Sequence, residues 1–108
     1  MQEYNLGRQG LPPIKFTGII IGQGEINGAF FVTIYKTKAG RYVGHIERRH
    51  GFDKVVVYSN ATHSQTPSDV IDWLKEGEET LGKASQDAVE QACKNDPSFA
   101  AAWVEVVE

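Results

Sequence analysis

Apolar residues along the chain follow two spacings. From Ile14 to Ser59 they come in short runs rich in Ile, Val, Phe and Tyr, separated by brief polar gaps that contain glycine. Runs of this length and composition, bounded by turn residues, predict strands. Four are predicted: IKFTGIIIGQG (14–24), AFFVTIYKT (29–37), RYVGHIERR (41–49) and DKVVVYS (53–59). Asn27-Gly28 precedes the second, and both residues tolerate the positive φ that tight hairpins demand. KAG (38–40) and HGF (50–52) supply the next two turns. Connections this short cannot cross over a sheet, so successive strands pair antiparallel, as a four-stranded meander.

After Ser59 the period changes. NATHSQTPSD (60–69) is polar and predicts a loop. SDVIDWLKEGEETL (68–81) then places Val70, Ile71, Trp73, Leu74 and Leu81 on or near one helical stripe. Thr66 suits the N-cap, Pro67 the first helical position and Asp69 the first turn, while Gly77 weakens or ends the helix. A second helix fits ASQDAVEQACKN (84–95), with Ala88, Val89, Ala92 and Cys93 inward, stopped by Asn95-Asp96-Pro97. The tail SFAAAWVEVVE suits a helical stripe or a strand; we place a helical turn near 97–101 and a short strand after it. At the other end, Gly7, Gly10, Pro12 and Pro13 argue against a helix or central strand, so residues 1–13 read as a flexible lead-in. The expectation is one α+β domain over 14–108: a four-stranded antiparallel β-meander followed by two helices packed on one face, with the short C-terminal strand as an addition.

Strand alternation assigns the faces. Phe30, Val32 and Ile34 share one side with Tyr42, Gly44 and Ile46, and this is the better core face. Phe31, Tyr35, Arg41 and His45 fall on the other side, which two helices on one face would leave open. Arg48 and Arg49 must point to opposite sides, so only Arg49 joins that set. Phe31, Tyr35, Arg41, His45 and Arg49 are therefore the candidate interaction face.

Composition bounds the alternatives. One domain is expected of 108 residues, and a chain of this size can bury a core without metals or disulfides. Cys93 is the single cysteine, so no internal disulfide forms; this suits a reducing compartment. No apolar run approaches the ~18 residues of a membrane span, and the polar MQEYNLGRQG start lacks a signal core, so a cytoplasmic protein with no membrane partner is expected. The net charge of −3 hides an asymmetry. Residues 1–63 carry eight Lys/Arg against four acids, whereas 64–108 carry three Lys against ten acids. The basic half can steer an anionic partner; acidic helix surfaces are also common without any function.

Phe16-Thr17-Gly18, together with Tyr35, Thr37, Gly40, Arg41 and Tyr42 and an acidic end at Glu105-Val106-Val107-Glu108, resembles the EXLDI family of small bacterial proteins. That family has a Phe-Thr-Gly strand opening, a Tyr-x-Thr-x-x-Gly-Arg-Tyr hairpin and a terminal acid-x-Leu-Asp-Ile. Here Val and Glu replace the Leu and Asp of the terminal motif, and its final Ile is missing. The resemblance implies a small bacterial protein and carries over no functional residue.

Residues with chemical potential form no catalytic constellation. His45, His50 and His63 match no zinc spacing, so no metal is expected. Cys93 falls near a helix C-terminus, where the dipole disfavours a thiolate. Gly22-x-Gly24 does not complete a dinucleotide fingerprint, and these glycines read as strand-end and hairpin residues. Glu76, Glu78 and Glu79 read as a solvated face. No cofactor is expected, and an enzyme is disfavoured. The leading expectation is a non-enzymatic domain that acts by protein association, above all self-association through the sheet face or an edge. The alternatives are nucleic-acid binding through the basic sheet half, disfavoured by a pI of about 5.6, and a small-ligand or enzyme site between sheet and helices.

Overall fold

The structure, a computed structural model, describes residues 1–107. Its elements are β1 (Gln2–Leu6), β2 (Ile14–Ile26), β3 (Phe30–Thr37), β4 (Tyr42–His50), β5 (Val55–Ser64), α1 (Pro67–Leu74), α2 (Lys83–Asn95) and α3 (Pro97–Ala102). The strands form one antiparallel sheet in chain order, with all three helices after it. The α+β class and the meander are as expected; the counts are five strands and three helices rather than four and two.

The added strand lies in the segment read as a lead-in. β1 pairs with the first five residues of β2, Leu6 against Ile14 through Gln2 against Gly18. Gly7, Gly10, Pro12 and Pro13 all fall in the loop after it, so their objection to a central strand holds while an edge strand forms just before them. β5 also outruns its expected end: NATHS continues the ladder, with Ala61 opposite His45 and His63 opposite Val43. Thr, Ser and Asn are tolerated there because they lie on an edge strand.

Two bulges shape the sheet. In β2, Ile20 faces Tyr35 but Gly22 faces Ile34, so Ile21 is an extra residue. That insertion reverses which parity faces the helices. Ile21 is buried, and Gly22 and Gly24 now lie under α2, where a Cβ would collide with the carbonyls of Ala88 and Ala84. These glycines are thus close-approach residues in mid-strand, not strand ends or turns. In β5, Tyr58 faces Arg48 and Val56 faces Arg49, leaving Val57 as the extra residue.

The main core lies between sheet and helices. Val32, Ile34, Tyr42 and Ile46 meet Val70, Ile71 and Leu74 of α1, Ala84, Ala88, Val89 and Ala92 of α2, and Phe99 of α3. α1 ends at Leu74 because Glu76 (φ 52°) and Gly77 (φ 84°) turn left-handed, so Leu81 packs on the core from a loop rather than from the helical stripe. Thr66 holds the N-cap position without a side-chain cap bond. Instead the Ser64 hydroxyl donates to Asp69 at 2.6 Å. Asp96 pins the helices to the sheet. Buried and capping α3, it accepts from Lys36 Nζ (2.8 Å), Tyr42 OH (2.8 Å) and the Phe99 amide (3.2 Å). Burial alone would raise its pKa, but these donors outweigh burial and hold the carboxyl below its ordinary value.

The expected C-terminal strand is absent from residues 103–107. Trp103, Val104 and Glu105 lie beside Ser68 and Ile71 of α1 and Lys75 at its C-cap. A helix surface offers no free backbone groups to pair with, so the β-branched sequence forms no ladder there. Glu108, the last residue of the family-like terminal motif, lies outside the described residues. No helix among the described residues is long and apolar enough to cross a membrane.

Candidate functional site: the second sheet face and the open edge

The sheet curls until β1 approaches β5, and its second face becomes the inside of that curl. Leu6, Tyr35, Val43 and Ala61 are buried there, with Tyr4, Ile14 and Phe16 packed around them. Tyr4, Phe16 and Tyr35 form an aromatic trio with ring centroids 4.6–5.4 Å apart. Burial, and then the neighbouring Tyr4, pushes the Tyr35 phenol up to about 12, so it stays protonated.

His45 sits in the same lining, 8% exposed. Its Nε2 lies 2.9 Å from Ser59 Oγ, and the Ser59 hydroxyl donates to Gly7 O at 3.0 Å. Because the hydroxyl proton goes to Gly7, the oxygen accepts from His45, which fixes the Nε2–H tautomer. The relay His45 to Ser59 to Gly7 links β4, β5 and the end of β1. Burial lowers the His45 pKa, partly opposed by Glu47, so the ring is neutral at pH 7.

The five residues of the sequence-derived interaction face do share one side of the sheet, but the curl divides them. Tyr35 and His45 are buried in its lining, whereas Phe31, Arg41 and Arg49 are half-buried toward its ends. Arg49 lies over the Phe31 ring, 4.5 Å from its centroid, and its Nε pairs with Glu47 at 2.6 Å. Arg48 points to the other side, as strand parity requires. It stacks on Phe30 and Tyr58 and approaches Glu76 at 3.7 Å. The two arginines therefore make no joint patch.

A second surface was not singled out in the sequence. Phe52, at the tip of the β4–β5 hairpin, is wholly exposed, and Val55, Val56 and Val57 are 56%, 48% and 60% exposed. β5 pairs only with β4. Over its ten residues, VVVYSNATHS, it carries no Lys, Arg, Asp, Glu or Pro. The signal was the uncharged triple valine, but a strand's position at an edge is a property of topology rather than of the run itself.

Between sheet and helices the core is filled by side chains, and His45 and Glu47 lie on the opposite face. No group of three metal-capable side chains occurs among the described residues. The Cys93 thiol is half-buried, and burial, with Glu90 nearby, pushes its pKa up, away from a reactive thiolate. The family-like hairpin residues have structural tasks: Thr37 Oγ1 accepts from the Arg41 amide (3.0 Å), Gly40 turns at φ 84°, and Tyr42 bonds Asp96. No family model, curated protein or solved structure matches the chain.

Proposed function

We propose that this domain acts by self-association, through antiparallel pairing of the β5 edge with β5 of a second copy. The observation that carries it is the uncovered, uncharged edge at Val55–Tyr58 with exposed Phe52 beside it. Open edges are ordinarily blunted by Lys, Pro or a covering element, because unpaired N–H and C=O groups recruit another strand. Here only the bulge at Val57 intervenes, and it bends the strand without covering it. Pairing the same strand about a two-fold axis makes an isologous contact in which each copy supplies one set of backbone groups and valines. With no charged residue in β5, such pairing places no like charges opposite one another along the strand.

Sedimentation over about a hundredfold range of concentration tests this, since a dimer's population follows protomer concentration. A dimer is expected, and Val57→Lys, on the exposed edge, should return it to monomer while the protomer's own stability, compared at concentrations too dilute for pairing, stays within about 0.5 kcal/mol. A wild-type monomer throughout, or a dimer untouched by Val57→Lys, sinks the proposal. Tyr35 is a poor test position because its side chain is structural. Nucleic-acid binding draws less support, since Arg48 and Arg49 face opposite ways and each already has a carboxylate nearby.

A further inference from the structure

The curl has a mouth at the β3–β4 turn, at the far end of β4 from the open edge. A cleft of about 370 Å³ lies there, toward the small end of the roughly 300–1,000 Å³ typical of ligand pockets. Its apolar part is Ile14, Phe16 and Val43, the outer end of the cluster that lines the curl. Its polar part holds the Lys38 and Arg41 cations at the turn and the His63 imidazole on β5. Lys15 also borders it, and no Asp or Glu is among the lining residues. None of the ion pairs found among the described residues engages Lys15, Lys38 or Arg41. The other sheet cations near acids are paired: Lys36 with Asp96, Arg48 with Glu76, Arg49 with Glu47.

The turn that presents Arg41 is held firmly. Thr37 N donates to Arg41 O (2.8 Å), Arg41 N to Thr37 Oγ1 (3.0 Å), and Lys38 N to Thr17 O (2.8 Å). Arg41 Nη2 lies 3.1 Å from His63 Nδ1. A guanidinium can only donate, so Nδ1 must accept, and the imidazole carries its proton on Nε2 as a second donor. This contact uses one of five guanidinium N–H groups and leaves the others for a ligand. Fixed donors beside an apolar floor lower the ordering cost of binding.

We infer that this cleft binds a small carboxylate with an apolar body, its carboxylate on the Arg41 guanidinium and its body on Phe16 and Val43. A carboxylate matches the planar guanidinium fork and supplies the counter-charge that the site lacks. The apolar floor favours an aryl or short alkyl acid over a bare inorganic anion.

Phenylacetate titrated into ¹⁵N-labelled full-length protein tests this, with acetate and phenylacetamide as controls that lack the apolar body and the charge. Saturable amide shifts are expected at Thr37, Lys38, Arg41, Val43 and His63, with both controls weaker by roughly tenfold or more. Arg41→Gln should weaken phenylacetate by a similar factor. Lys38→Glu, on the exposed turn, provides a second variant that leaves the hairpin bonds in place and should also weaken binding. Retained amide dispersion shows whether each variant is folded. Equal binding of phenylacetamide, no loss in the folded variants, or no saturable shift overturns the inference. Val57→Lys should leave phenylacetate binding unchanged, so the cleft and the edge fail or survive separately.

Discussion

Among the stretches of this sheet that lack a strand neighbour on their outer side, two are finished in opposite ways. β1 pairs only with residues 14–18 of β2, so β2 from Ile19 to Ile26 has no strand beyond it. There α2 lies against the strand and bonds its backbone: Gln91 Oε1 accepts from the Gln23 amide at 2.8 Å, and Asn95 Nδ2 donates to Ile21 O at 2.9 Å. β5 has no such cover from Val55 to Tyr58. The difference lies in side-chain bulk. Gly22 and Gly24, facing Ala84, Ala88 and Ala92, let a helix backbone approach until short amide side chains reach the strand. Three adjacent valines hold any helix too far away for that. An edge of glycine can be closed by the chain's own helix, whereas an edge of branched residues is closed most readily by another strand.

Gly22→Ala should break the comparison most severely. Its new Cβ meets the Ala88 carbonyl and the Ala92 amide, both backbone and unable to swing aside. Forcing α2 outward is expected to cost about 3 kcal/mol, the upper part of the usual overpacking range, read as a lowered urea midpoint. If Gly22→Ala unfolds with the wild-type midpoint, α2 does not press on β2 as described. Gln91→Ala is the milder version. It leaves the helix in place but strips the Gln23 amide of its partner, at about 1 kcal/mol. The same variant should raise amide exchange at Gln23 without altering Val55–Val57, whose edge is already open.

The strands and helices were legible because their signals are local. The positive-φ turn residues Asn27, Gly28 and Gly40 sit at the expected hairpins, and the expected 84–95 helix starts one residue earlier, at Lys83, and ends at Asn95 as expected. What escaped depends on distant partners. The bulge at Ile21 reverses the parity of β2, and nothing in GIIIGQG announces it. Without that reversal Gly22 and Gly24 look like turn residues, and the contact with α2 is invisible. From the sequence the interaction face looks open because the helices cover the other side. Closure came instead from β1, five residues that need β2 as a template. Arg49 was separable from Arg48 by parity alone, and the structure places them on opposite sides.

The curl provides the most specific predicted effect. His45 is buried and neutral, with burial lowering its pKa and Glu47 opposing that shift. The unfolded chain then binds a proton more readily than the native state. The stabilising contribution of the neutral ring is therefore complete above the ordinary histidine value of about 6.5 and is lost as pH falls through that value toward the native one. For a single proton the slope cannot exceed about 1.4 kcal/mol per pH unit. Denaturant titrations at pH 7.5, 6.5 and 5.5, chosen to straddle that ordinary value of about 6.5, should show stability falling toward acid, and His45→Leu should flatten that part of the profile. The carboxylates held low, Asp69 and Asp96, titrate well below this window and leave the slope to histidine. Ser59→Ala should weaken the curl without flattening the profile, because it removes the acceptor that ties β4 to β1 but keeps the buried ring. An unchanged slope in His45→Leu would show that the acid sensitivity lies outside the curl.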